Sequence, residues 1–134
     1  MAIDRNLHII VADRSETMQK HIRHILRAHG YTNVTLASNG IEVARLVHSS
    51  TVEFIVSAWN LPKIKGIDIL RRIRSMEATR DIPFLMVTSR GDTSYVDAAR
   101  RHGVSAYLVK PFTPDAFMRA FTAALTRHGL IAQA

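Results

Sequence analysis

Three polar residues stand at or just after the ends of apolar runs that lie far apart in the chain: Asp13, Thr88 and Lys110. A carboxylate, a hydroxyl and an ammonium brought together can hold a phosphate-sized group with a cation. Each residue alone reads as the first polar position of a loop. The chemistry exists only if three separate elements end at one place, so the elements must be considered next.

Five short apolar runs recur: Leu7–Ala12, Val34–Ala37, Phe54–Ala58, Phe84–Thr88 and Ala106–Val109. They are nearly continuous rather than alternating, and rich in β-branched, aromatic and Leu residues. That pattern suits strands buried on both faces, as in a parallel sheet. Segments of helical period lie between them. Met18, Ile22, Ile25 and Leu26 mark a helix over 15–29, stopped at Gly30. Asn39 followed by Glu42 resembles a capping box opening a helix over 40–48, with Ile41, Ala44 and Val47 inward. Ile67, Leu70 and Ile73 mark a helix over 65–75, and Val96 and Ala99 one over 93–102, ended by Gly103. Thr113 as N-cap with Pro114 in the first turn opens a helix over 114–127 whose stripe is Phe117, Ala120, Phe121, Ala124 and Leu125. Five β–α units with short connections predict an α/β fold, a parallel sheet covered by helices on both faces through right-handed crossovers. Ligands in such folds bind beyond the carboxyl ends of the strands. Asp13-Arg14, Ala58-Trp59-Asn60, Thr88-Ser89 and Lys110-Pro111 all fall there.

The composition sets the frame. The chain has 134 residues, 47% hydrophobic and 22% charged, with a mean hydropathy of +0.02. This is globular composition at the length of one domain. We expect a single domain over 1–134, with 129–134 a short tail. The absence of cysteine excludes disulfides, thiolate metal sites and thiol nucleophiles. No apolar run is long enough to span a bilayer, and the start Met-Ala-Ile-Asp-Arg shows no signal peptide. A soluble cytoplasmic protein without membrane insertion, and a monomer, is the expectation. A net charge of +7 and a pI near 10.6 favour acidic partners. No recognition helix or aromatic platform is present, so nucleic acid is not an expected partner. No Ser/His/Asp set, catalytic carboxylate pair or glycine-rich phosphate loop points to an enzyme.

Taken in order, Ile9-Ile10-Val11-Ala12-Asp13-Arg14-Ser15, Val56-Ser57-Ala58-Trp59-Asn60-Leu61-Pro62, Met86-Val87-Thr88-Ser89 and Tyr107-Leu108-Val109-Lys110-Pro111-Phe112 resemble response-regulator receiver domains, most closely the CheY-like single-domain branch, over almost the whole chain. The resemblance implies a flavodoxin-like (βα)5 fold of strand order 2-1-3-4-5. It implies two-component or chemotaxis signalling with a histidine kinase or a motility target as partner. In that family two acids after the first strand and an aspartate ending the third hold Mg²⁺, and that aspartate accepts the phosphoryl group. Carried over, Asp13 is the first acid, Asn60 the residue whose carbonyl helps hold the metal, Thr88 the hydroxyl and Lys110 the ammonium. Tyr107 is the switch aromatic, and the Lys110–Pro111 bond is cis. Tyr95, Tyr107 and Pro111 belong to the signalling face.

Two departures outweigh these matches. The second acid is Arg14, and the acceptor is Ala58, which has no oxygen to phosphorylate. Lys65 stands where the family often has an acid before Gly66. One unit-charge pair at about 4 Å and an effective dielectric of about 20 is worth about 4 kcal/mol, so Arg14 would repel Mg²⁺ on that scale. Metal binding is expected to be weak or absent, and no cofactor is assigned. Ser57 is a poor substitute acceptor, because alternation turns it away from Ala58's face. The expected arrangement is a pseudo-receiver in which Arg14 pairs with Asp13 and fills the metal's place. Two other readings stay open. One is an ordinary phosphorelay receiver with Asp deliberately replaced by Ala at 58. The other is a basic adaptor binding an anion or nucleic acid through Arg14, Thr88 and Lys110. Trp59 is expected to cover the pocket, Lys20, Arg23 and Arg27 to form a solvated basic face, and His21 and His24 to lie at the surface.

Overall fold

A computed structural model describes residues 4–130. Five strands, β1 (Ile9–Ala12), β2 (Val34–Ala37), β3 (Phe54–Ser57), β4 (Phe84–Thr88) and β5 (Ala106–Val109), alternate with five helices. The helices are α1 (Glu16–Ala28), α2 (Gly40–Ser49), α3 (Gly66–Ser75), α4 (Thr93–Arg101) and α5 (Pro114–Arg127). All strand pairs are parallel, in the order β2-β1-β3-β4-β5. The expected fold and order are therefore the observed ones. Residues 1–3, in the segment read for a signal peptide, and 131–134, most of the expected tail, lie outside the described residues. No described helix is long and apolar enough to cross a membrane.

The two-residue period of the strands divides the core into two layers. Ile10, Ala12, Ile55, Phe84 and Met86 face α2, α3 and α4, and join Val43, Ile67, Leu70, Ile73 and Ala99. Ile9, Val11, Phe54, Val56, Leu85 and Val87 face α1 and α5, and join Ile22, Leu26, Phe117 and Phe121. Phe54 stacks on Phe121 with ring centroids 4.3 Å apart. The central strands β1, β3 and β4 are buried throughout, whereas the edge strands β2 and β5 are only partly covered.

Two expected strand limits and one expected buried face differ in the structure. Leu7 is buried but precedes the ladder, which opens at Ile9. The third strand closes at Ser57, so Ala58 is the first residue beyond it, its N–H still donating to the Ala12 carbonyl at 3.0 Å. In α2 the buried side chain is Val43; Ile41, Ala44 and Val47 are only half-buried. Only a narrow face of α2 reaches the sheet, so its other apolar stripe is left at the surface.

The caps follow the sequence. Ser15 Oγ accepts from the Met18 N–H, Asn39 Oδ1 from Glu42, and Thr113 Oγ1 from Ala116. Glu42 reaches back to the Ser38 N–H and the Asn39 amide rather than to the N-cap backbone. At the amino ends of the strands, buried Ser105 accepts from the Phe84 N–H (2.9 Å) and Arg74 (3.2 Å), which leaves its own proton for His128 Nε2 at 2.6 Å. Arg74 also donates to the carbonyls of Gly103 and Ile82, tying α3 to β4, β5 and the end of α5.

Candidate functional site

Asp13, Arg14, Ala58, Asn60, Thr88 and Lys110 line one small cavity of about 170 Å³ beyond the carboxyl ends of β1, β3, β4 and β5. The parallel register brings them there, since each follows or closes its strand. Ser89, placed with Thr88 at the end of the fourth strand by the sequence but given no role there, completes the lining.

The carboxylate of Asp13 is nearly sealed, the residue being 3% exposed. Its Oδ1 accepts from the Ser15 N–H at 2.8 Å, and its Oδ2 accepts from Lys110 Nζ at 2.7 Å. Gln19, buried and unflagged by the sequence, donates to the Asp13 carbonyl at 2.6 Å and to Ser38 Oγ at 3.1 Å, fixing the turn into α1. The Lys110 N–H donates to the Thr88 carbonyl, which aligns β5's end with β4's. Buried Thr88 accepts from the Arg90 N–H through Oγ1.

Here one expectation is corrected. Arg14 does not pair with Asp13. It is exposed at the cavity's mouth, and the partner of Asp13 is Lys110. Arg14 stands in the bend between β1 and α1 and is exposed to solvent. Both carboxylate oxygens are already engaged, Oδ1 by the Ser15 N–H and Oδ2 by the Lys110 ammonium. Ser57 is fully buried, donates to the Ala58 carbonyl at 2.9 Å and does not line the cavity.

Trp59 is a second correction. It does not line the cavity but is buried in the layer under α4, edge-on to Tyr95 with centroids 4.9 Å apart. Its apolar bulk is better satisfied by that core than by a polar cleft. Arg90 lies over the other partner of this contact, 5.3 Å from the Tyr95 ring centre. The Arg90 carbonyl accepts from the Tyr107 hydroxyl. Tyr95 and Tyr107 are thus joined through Arg90, and the Tyr107 phenol is held above its usual pKa, first by burial and then by Asp92 and Tyr95. Pro111 is exposed after a cis Lys110–Pro111 bond. Lys20 is paired with Glu16 at 3.0 Å, and His21 and His24 are exposed.

Residues 9–122 match the family model described as the response regulator receiver domain. The chain belongs to the response regulator receiver family. This receiver domain is 37% identical over 107 residues to chemotaxis protein CheY of Pseudomonas aeruginosa, covering 80% of this chain and 86% of that one. It is 34% identical over 110 residues to chemotaxis protein CheY1 of Helicobacter pylori, covering 81% and 89%. A solved response regulator receiver domain protein from Clostridium thermocellum superposes with a TM-score of 0.79 at 26% identity, covering 94% of this chain and 99% of that one.

The family's metal can be tested against this donor set. Mg²⁺ demands near-octahedral oxygen ligation, commonly with one or two carboxylates and several waters. The receiver domain offers one carboxylate, already engaged by an ammonium and an amide, and Asn60, where the resemblance expects a carbonyl ligand. Two fixed cations, Lys110 and Arg14, line the same cavity. These residues do not fit the ion.

Proposed function

We propose that this receiver domain acts in two-component or chemotaxis signalling by protein–protein contact, without phosphorylation of its own pocket. The observation that carries the reading is Ala58. Its methyl group stands at the cavity beyond β3, where the resemblance places the acceptor carboxylate. Phosphoryl transfer to an aspartate needs that nucleophile and a cation to offset the incoming charge. Here the nucleophile is missing, and the one acid left is paired with Lys110. The same ion pair supports a further point. Lys110 already bridges β5 to the end of β1, so the strand ends are held together without a phosphoryl group. The domain then has no phosphorylation-driven two-state choice to make, and its output is set by which partner it meets. Its partners would be a histidine kinase or a chemotaxis target, met through the face of Tyr95, Tyr107 and Pro111. It catalyses no reaction of its own.

Backbone amide NMR tests this directly. Mg²⁺ together with beryllofluoride, a phosphoryl mimic that needs the acceptor carboxylate, should leave the resonances of Asp13, Ala58, Thr88 and Lys110 where they were. Saturable shifts at those four positions would defeat the proposal.

A further inference from the structure

The stripe that α2 fails to bury opens onto a groove. Ala44 and Val47 on one side face Ile64, Ile69 and Ile73 on the other, enclosing about 480 Å³, and Met76 lines it too. Met76 is 46% exposed, one of only three large hydrophobic residues so exposed among the described residues; the others, Val109 and Leu130, lie elsewhere. A volume of this size falls within the range of binding clefts, and exposed apolar surface at a cleft marks an interaction site. A methionine there suits a surface that must adapt to a partner.

The charge around the groove selects the occupant. His48 and Arg72 stand on its rim, and no carboxylate lines it. Arg72 also lines a second, polar cleft on the other side of α3, together with Arg71, Arg101 and His102. The acid in that cleft, Asp68, is tied to Arg71 at 3.5 Å. Among the described residues neither Arg72 nor Arg101 has a carboxylate within 4 Å. The carboxyl-terminal half of α3 is therefore a ridge with an apolar groove on one flank and free guanidinium groups on the other. A second copy of the chain does not suit this ridge, because each copy carries a net charge of +7. Nucleic acid does not suit the apolar flank.

We propose that the α2–α3 groove docks an acidic amphipathic helix of a partner protein, with apolar side chains at i, i+3/i+4 and i+7 in the groove and carboxylates on Arg72 and Arg101. This surface is separate from the Asp13–Lys110 cavity and from the face of Tyr95 and Tyr107. It stands or falls independently of whether the Asp13–Lys110 cavity takes up a phosphoryl group.

The test uses the full chain with a photoreactive benzoylphenylalanine in place of Val47, expressed in the cells that make this protein. Cross-linked peptides are identified by mass spectrometry. The same probe at Thr122 on α5 is the control. The proposal predicts that the attached peptide is net acidic and amphipathic at helical spacing. It predicts that Arg72→Glu lowers the yield about tenfold, the effect of about 1.4 kcal/mol from replacing attraction by repulsion at a surface pair. Arg72 is exposed, so an unchanged unfolding midpoint should accompany that loss; Met76→Asp, equally exposed, should act likewise. A basic or non-amphipathic peptide, a small-molecule adduct, a yield no higher than the Thr122 control, or a yield indifferent to Arg72→Glu would each overturn it.

Discussion

Removing the ammonium of Lys110 leaves a buried carboxylate without its counter-ion. The Asp13–Lys110 contact is 2.7 Å, with the Asp13 side chain 4% and the Lys110 side chain 23% exposed. At that distance and an effective dielectric of about 20, the gross attraction is about 6 kcal/mol. Much of it offsets the cost of taking both charges out of water. What a variant reads is the cost of leaving one charge behind, about 3–5 kcal/mol for a buried pair. Asp13 keeps its bond from the Ser15 N–H, and water can reach the cavity, so the low end applies. Lys110→Met, which retains the apolar stem, should therefore cost about 3 kcal/mol. With a denaturant slope of about 2 kcal/mol per molar, the urea midpoint should fall by about 1.5 M. Asp13→Asn combined with Lys110→Met should recover much of that loss, giving a coupling energy of about 2 kcal/mol in a double-mutant cycle. A single-variant cost below about 0.5 kcal/mol, or two additive losses, would show that the ion pair is not what holds β1 and β5 together.

Three further outcomes follow from the same structure. Arg14→Ala should change stability by less than about 0.5 kcal/mol in the same urea assay, because Arg14 is exposed and unpaired with Asp13. Gly66→Ala should destabilise by about 1–3 kcal/mol, read as a lower thermal midpoint, since a Cβ there would lie 2.0 Å from the Ala58 carbonyl oxygen. His128 titrates below its usual 6.5, chiefly through burial and then the adjacent Arg74 charge, with Arg127 acting the same way and Asp81 opposing. The unfolded chain therefore binds this proton more readily than the folded one, and stability from this group is complete above about pH 6.5 and lost as pH falls below it. Urea midpoints compared at pH 7.5 and 5.5 should show that loss, and His128→Gln should shrink it; an unchanged slope would remove His128 from the cause.

The fold was legible because each signal was local and repeated. Buried strands showed as continuous apolar runs, helix starts as Asn39 and Thr113, and helix ends as Gly30 and Gly103. The seven cavity residues were legible for a related reason: a parallel sheet puts all carboxyl ends at one edge, so position along the chain translated into position in space. What was not legible depended on competition between partners. Asp13 had two cations available, and spacing alone does not say that Lys110, distant by 97 positions, wins over its neighbour Arg14. Trp59 had a cleft and a core to choose between, and its size decided for the core. Val43 displaced Ala44 and Val47 from the interior because the sheet covers only one narrow face of α2. The Ser105 cluster left no sequence trace, since its members, Arg74, Ser105 and His128, look like ordinary polar residues until the chain folds.

The most direct test of phosphorylation-independent function is intact mass after incubation with Mg²⁺ and a small-molecule phosphodonor. The chain should gain no phosphoryl group, and Ala58→Asp alone should gain little while Arg14 still faces the metal's place. Arg14→Asp with Ala58→Asp should take up one phosphoryl group and so show that the assay works. A stoichiometric adduct on the unaltered chain would contradict the account, because it would mean an acceptor other than residue 58 and a pocket that still runs the family's chemistry.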